Sequence, residues 1–73
     1  MFGLPKYHIG QTVVALTSVM GSYEPSRCSV GEKMRVEKVE RHGNTYQYTC
    51  GYDGYELLES QLTTPLGYTK KKI

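Results

Sequence analysis

The chain has 73 residues, enough for one domain. Its formal net charge of +2 comes from Lys70, Lys71 and Lys72, because residues 1–67 carry six basic and seven acidic residues. A body this close to neutral argues against a protein that binds nucleic acid mainly by neutralising phosphates, since such proteins present a basic face.

The N-terminal stretch MFGLPKYHIGQ places Pro5 and Lys6 where a signal peptide needs an unbroken apolar segment. The longest uncharged run, residues 9–23, is too polar and too short to cross a bilayer. We therefore expect a cytoplasmic protein in which Cys28 and Cys50 are reduced thiols. A disulfide between these two cysteines is the alternative if the protein is exported by another route.

The first half of the chain predicts one strand and one long loop. Residues 1–10 contain two glycines and a proline and are typical of an irregular lead-in. QTVVALT (residues 11–17) is rich in β-branched residues and predicts a strand. Residues 18–32 combine Gly, Pro and Ser without periodicity and predict a long loop. We expect Val19 and Met20 to pack beneath it.

KMRVEKVER (residues 33–41) predicts the second strand, because apolar residues alternate along it up to Val36. Val39 falls out of this alternation by one position. A β-bulge near Glu37 and Lys38 would return it to the apolar face.

A tight turn at HGN (residues 42–44) is predicted to lead into the third strand, TYQYTCGY (residues 45–52). A two-residue turn at Asp53-Gly54 then leads to the fourth strand, YELLE (residues 55–59). Strict alternation in the third strand puts Tyr46, Tyr48, Cys50 and Tyr52 on one face. We expect Tyr46, Tyr48 and Cys50 to pack in the core.

At the C-terminal end we predict a 3₁₀ turn at residues 60–62 and a short strand at residues 63–66, with Pro65 tolerated only at a sheet edge. The domain is expected to span residues 1–67 and to be followed by a basic tail, residues 68–73. No segment combines helical spacing with a capping residue, so we expect no helix. Five short strands joined by tight turns predict a small all-β barrel.

The order of these elements resembles that of the SH3-like barrel. Over residues 9–66, the segments HIGQTVVALTS, CSVGEKMRVEKV and YDGYELLESQL are similar to those of small stand-alone SH3-like proteins from bacteriophages and bacterial mobile elements. The resemblance implies a five-stranded SH3-like barrel with a long first loop and one 3₁₀ turn before the last strand. It also implies a small accessory protein, in the host cytoplasm if a phage encodes it.

Two other groups differ from this chain at their functional motifs. SH3 domains that bind proline-rich peptides share an A-L-Y-D-Y segment, a Trp pair and a P-S-N-Y segment. At the matching positions this chain reads VALTS, TYQY and LESQL, and it has no Trp, so most of the aromatic groove for a proline-rich peptide is missing. The plasmid-borne dihydrofolate reductases are similar in FGLP and in barrel size, but their ligand-binding V-Q-I-Y is replaced by TYQYT. A small-ligand site or a pore-type enzyme formed by an oligomer is therefore only a remote alternative.

No motif predicts catalysis or a metal site. The chain has no phosphate-binding Gly loop, no G-x-S-x-G and no H-E-x-x-H. Its two cysteines and two histidines lack the close pairing of zinc ligands. We therefore expect no enzyme, no cofactor and no metal.

The candidate that remains is a surface for a protein partner. Tyr52 and Tyr55 flank the predicted hairpin turn, and Tyr23 and Arg27 lie in the long loop, where binding residues are often found. We expect the three tyrosines to be exposed, and we expect all four residues to contact the partner.

Two alternatives stay open from the sequence. Nucleic acid could be contacted through Lys70, Lys71 and Lys72. The edge strand at residues 63–66 could pair between two copies of the chain.

Overall fold

The computed structural model describes residues 3–23 and 25–69. Its elements in chain order are β1 (Thr12–Ala15), β2 (Lys33–His42), β3 (Thr45–Cys50), β4 (Tyr55–Leu58), a 3₁₀ turn (Glu59–Gln61), β5 (Leu62–Thr63) and α1 (Pro65–Thr69). The strands form one antiparallel sheet in the order β4-β3-β2-β1-β5, which is not closed, since β4 and β5 do not pair among the described residues. The expected small all-β fold is confirmed.

Strand β2 joins the two halves of the sheet. Its first residues pair with β1 and its later residues with β3. The register shifts between Val36 and Lys38, which confirms the predicted bulge. The extra residue returns Val39 to the face that carries Val36, so that Val39 packs against the core.

The turn between β3 and β4 is longer than the predicted two-residue turn at Asp53-Gly54. Strand β3 ends at Cys50, and a four-residue turn follows, with φ of +76° at Gly51 and +69° at Gly54. Both glycines adopt a left-handed conformation that is costly for other residues. Cys50 pairs directly with Tyr55, which places both side chains on the same face of the hairpin.

One hydrophobic core lies against the inner face of the sheet. The residues of β3 that alternation assigned to it, Tyr48 and Cys50, are fully buried, while Tyr46 is half-buried at its edge. Tyr7, from the stretch expected to be an irregular lead-in, is also buried in this core. The complete cluster consists of Tyr7, Val13, Ala15, Cys28, Met34, Val36, Tyr48, Cys50, Tyr55, Leu57 and Leu62.

The C-terminal part differs from the prediction in two ways. Strand β5 ends at Thr63, and Pro65 begins a helix instead of lying in an edge strand. Proline is suited to the first turn of a helix because the N–H it lacks has no intrahelical partner there. A Cβ added at Gly31 would lie 2.8 Å from the Tyr68 hydroxyl, so α1 packs against the end of the first loop. Among the described helices, none is long and apolar enough to span a membrane.

Candidate interaction surface

The loop at residues 18–32 folds back onto the start of β4. Met20 forms an isolated antiparallel bridge with Arg27, and Gly21 forms one with Tyr55. The Gly21 N–H also donates to the Ser26 carbonyl at 2.8 Å, which closes a small hairpin within the loop. The loop thereby covers the first residue of an edge strand and lies beside the β3–β4 turn.

Hydrogen bonds among three polar side chains hold the loop against this turn. The hydroxyls of Ser26 and Tyr55 each donate to Oδ2 of Asp53 at 3.0 Å, and the two hydroxyl oxygens lie 3.1 Å apart. The hydrogen bond with Ser26 lowers the pKa of Tyr55, but burial and the nearby carboxylates of Asp53 and Glu32 outweigh it, so that the net pKa is raised. The Tyr55 hydroxyl therefore stays protonated at neutral pH and remains a donor to Asp53.

Backbone contacts bring Tyr23 to the same turn. The N–H groups of Ser22 and Tyr23 donate to the Asp53 carbonyl at 3.0 and 3.3 Å. The Tyr23 ring lies directly on Gly54, because a Cβ added there would be 2.7 Å from a ring carbon. Only glycine allows the ring to approach the turn this closely.

Four exposed side chains belong to this turn and to the loop that packs against it. Tyr52 is 98% exposed, Tyr23 73% and Met20 55%. Arg27 is also exposed, and its Nη1 donates to the Ser18 carbonyl at 3.1 Å. We call Met20, Tyr23, Arg27 and Tyr52 the tyrosine surface. The expected exposure of Tyr23 and Tyr52 is confirmed, whereas the expected packing of Met20 beneath the loop is wrong.

The expectation that Tyr55 is exposed is also wrong, since only 6% of it is accessible. Its position opposite Cys50 directs the ring into the core, and only its hydroxyl reaches the loop. Tyr55 therefore positions the tyrosine surface without belonging to it. Sequence reasoning did not identify Asp53 or Ser26 as anchors, because their contact joins positions far apart in the chain.

The two thiols are buried and free. Burial, with smaller contributions from Cys28 and Glu37, raises the pKa of Cys50 to about 12, so this thiol stays protonated at neutral pH. Within residues 3–23 and 25–69, no group of three or more His, Cys, Asp or Glu residues is arranged to hold a metal ion.

The lysines of the nucleic-acid alternative, Lys70, Lys71 and Lys72, lie outside the described residues. Contact between this tail and nucleic acid therefore stays a prediction from the sequence. The described part of the expected tail, Tyr68 and Thr69, belongs to α1.

In comparisons with known proteins, no family model matches the chain, and neither a curated protein nor a solved structure matches it. Its function is therefore inferred from the fold and from the side chains that the fold brings together.

Proposed function

We propose that this chain is an SH3-like barrel that acts as a non-catalytic interaction module and binds a protein through the tyrosine surface. The strand order β4-β3-β2-β1-β5, the bulge in β2 and the 3₁₀ turn between β4 and β5 support the fold assignment. The resemblance to phage and mobile-element proteins supports a host or viral protein as the partner.

The observation that carries the proposal is that Tyr23 is held on the turn that also carries Tyr52. Tyrosine offers a large contact area with few rotatable bonds, so that little entropy is lost on binding. Tyr23 is held by its own N–H and by its ring on Gly54, which means that part of the ordering cost is met before the partner arrives.

The size of the surface fits a small or transient contact. An aromatic side chain buries roughly 150–250 Å², so Tyr23 and Tyr52 together supply about half of the roughly 800 Å² that a standard interface buries on each partner. Met20 and Arg27 extend the surface, and both Met and Arg are enriched at interfaces.

The proposal is tested by affinity capture from a bacterial lysate with the wild-type chain and a Tyr23→Ser/Tyr52→Ser variant. The matched control is Leu4→Ser/Leu66→Ser, which removes two exposed apolar side chains from other parts of the chain. We expect the wild type and the control to retain the same protein and the tyrosine variant to lose it.

The retained protein is then purified and titrated against all three chains, whose thermal unfolding midpoints are compared to show that each is folded. Equal affinity for the wild type and the tyrosine variant would contradict the proposal. Retention of no protein by the wild type beyond the background of the bare resin would contradict it as well.

A further inference from the structure

The N-terminal segment, residues 3–9, which we call the arm, inserts one side chain into the core. Tyr7 is only 3% exposed. Its ring meets that of Tyr48 edge to face, with 5.4 Å between the centroids and 70° between the planes. Its hydroxyl donates to the Leu62 carbonyl at 3.2 Å. Tyr7 therefore fills a pocket with a hydrogen-bond acceptor at its end.

The other hydrogen bonds that hold the arm involve its backbone. Three backbone groups of the arm hydrogen-bond to side chains of β3 and of the 3₁₀ turn. They are the Gly3 carbonyl with the Tyr46 hydroxyl (2.9 Å), the Lys6 N–H with the Glu59 carboxylate (2.8 Å) and the Tyr7 N–H with the Tyr48 hydroxyl (3.3 Å). The Tyr48 hydroxyl in turn donates to the same Glu59 oxygen at 2.5 Å, which fixes both acceptors in place.

Every arm residue apart from Tyr7 is exposed, and Leu4 is 90% exposed. The arm forms no helix or strand within the described residues. A tight turn closed by the Gln11 N–H on the His8 carbonyl joins it to β1, with Gly10 at a φ of +93°. The Gly10 N–H also donates to the Val36 carbonyl at 2.8 Å, so this turn is held on β2 and is the point at which the arm ends and the sheet begins.

Recognition of one buried tyrosine and of backbone groups is how a protein binds an extended peptide. We propose that Tyr46, Tyr48, Glu59 and Leu62, which we call the arm cleft, form a peptide-binding site that the arm occupies in the free protein. When the arm leaves, the cleft accepts an extended segment of a second protein that presents a tyrosine.

This site is independent of the tyrosine surface. The arm cleft lies where β3 begins and β4 ends, whereas the tyrosine surface surrounds the turn that joins these strands at their other ends. Because the arm is tethered to the cleft, a peptide supplied in solution competes with a high effective concentration of the arm. Binding in trans should therefore tighten when the arm is weakened.

The first experiment uses the full chain with Tyr7→Ala and a synthetic peptide of sequence GLPKYHI, which copies residues 3–9. The matched control peptide, GLPKAHI, differs only in the tyrosine. We expect saturable binding of the tyrosine peptide, and a thermal unfolding midpoint raised by roughly 5–10 °C at ten times Kd. We expect the control peptide to leave the midpoint unchanged, and the wild type to bind the tyrosine peptide at least roughly tenfold more weakly.

Three results would overturn the proposal. They are failure of the tyrosine peptide to bind the folded variant, equal binding of the two peptides, and equal affinity of the wild type and the variant for the tyrosine peptide.

The second experiment tests whether the arm leaves the cleft, and it can refute the proposal even if Tyr7→Ala does not fold, because it uses the wild-type chain. Hydrogen exchange is followed at the amides of Lys6 and Tyr7 and at that of the buried Ala15 in β1, which donates to the Glu32 carbonyl at 3.0 Å. We expect the two arm amides to exchange by local opening, faster than Ala15 and with little dependence on denaturant. Exchange of all three amides only through global unfolding would show that the arm does not leave the cleft, and the proposal would fail.

Discussion

The Asp53 carboxylate is the group whose removal should most selectively release the loop at residues 18–32. Its Oδ2 accepts hydrogen bonds from the hydroxyls of Ser26 and Tyr55, while the loop's bonds to the Asp53 backbone carbonyl remain in Asp53→Ala. A hydrogen bond to a charged group contributes about 1.5–3 kcal/mol when well shielded. Because Asp53 is only half-buried, we expect both bonds together to contribute about 2 kcal/mol.

This loss is large for a domain of this size, whose net stability is about 3–5 kcal/mol. Since each kcal/mol shifts the midpoint by about 4–8 °C in a small domain, Asp53→Ala should lower the thermal unfolding midpoint by roughly 8–16 °C. Urea unfolding followed by circular dichroism measures the free-energy change directly. Glu56→Ala, which removes an exposed carboxylate from β4, is the matched control and should change stability by less than about 0.5 kcal/mol.

A double-mutant cycle with Tyr55→Phe tests the mechanism. If Asp53 acts through the Tyr55 hydroxyl, the double variant should lose less stability than the two single losses added together, by about 0.5 kcal/mol or more. Additive effects, within about 0.3 kcal/mol, would refute the reasoning, as would a loss in Asp53→Ala no larger than that in Glu56→Ala.

Three further outcomes follow from the packing and the pKa shifts. Gly54→Ala should lower the free energy of unfolding by about 1–2 kcal/mol for the left-handed backbone alone, and the added Cβ should displace the Tyr23 ring. Unchanged urea stability and an unshifted Tyr23 ring signal in NMR spectra would contradict this. Leu57→Ala, at a fully buried position, should lower the free energy of unfolding by about 2–5 kcal/mol and leave little folded protein by circular dichroism. Leu58 is more exposed, so Leu58→Ala should leave the protein folded. Similar losses in the two variants would contradict this. Burial and the hydrogen bond to a carboxylate raise the pKa of Tyr48 from 10.0 to about 12, so its contribution to stability is complete below pH 10 and is lost as the pH rises toward 12. Urea stability followed by circular dichroism should therefore fall across that window, and constant urea stability would argue against the assignment.

The parts of the fold that depend on local alternation could be predicted from the sequence. Val39 is out of phase with Val36, and that single mismatch is enough to place the bulge. Tyr48 and Cys50 are in phase with each other and pack in the core, as a strand buried on one face requires.

The parts that depend on turn length or on distant contacts could not be predicted in this way. Gly51 ends β3 earlier than the alternation suggests, which removes Tyr52 from the core face and sets Tyr55 opposite Cys50. Tyr7 is buried by contacts with residues more than forty positions away, which no local pattern reports. A helix as short as α1 is held by packing against its surroundings and has no periodicity to detect.

Strand β5 pairs with β1, through Val14 with Thr63 and Ala15 with Leu62, although β1 is the first strand along the sequence and β5 the last. A ribosome therefore delivers β1 well before the strand that completes it. Until Leu62 and Thr63 are synthesised, one side of β1 is an open edge of β-branched residues, the kind of surface on which nascent chains associate with one another. The sheet reaches its full width only when β5 is available, so the yield of folded protein in the cell depends on how well β1 is kept apart from other chains until then.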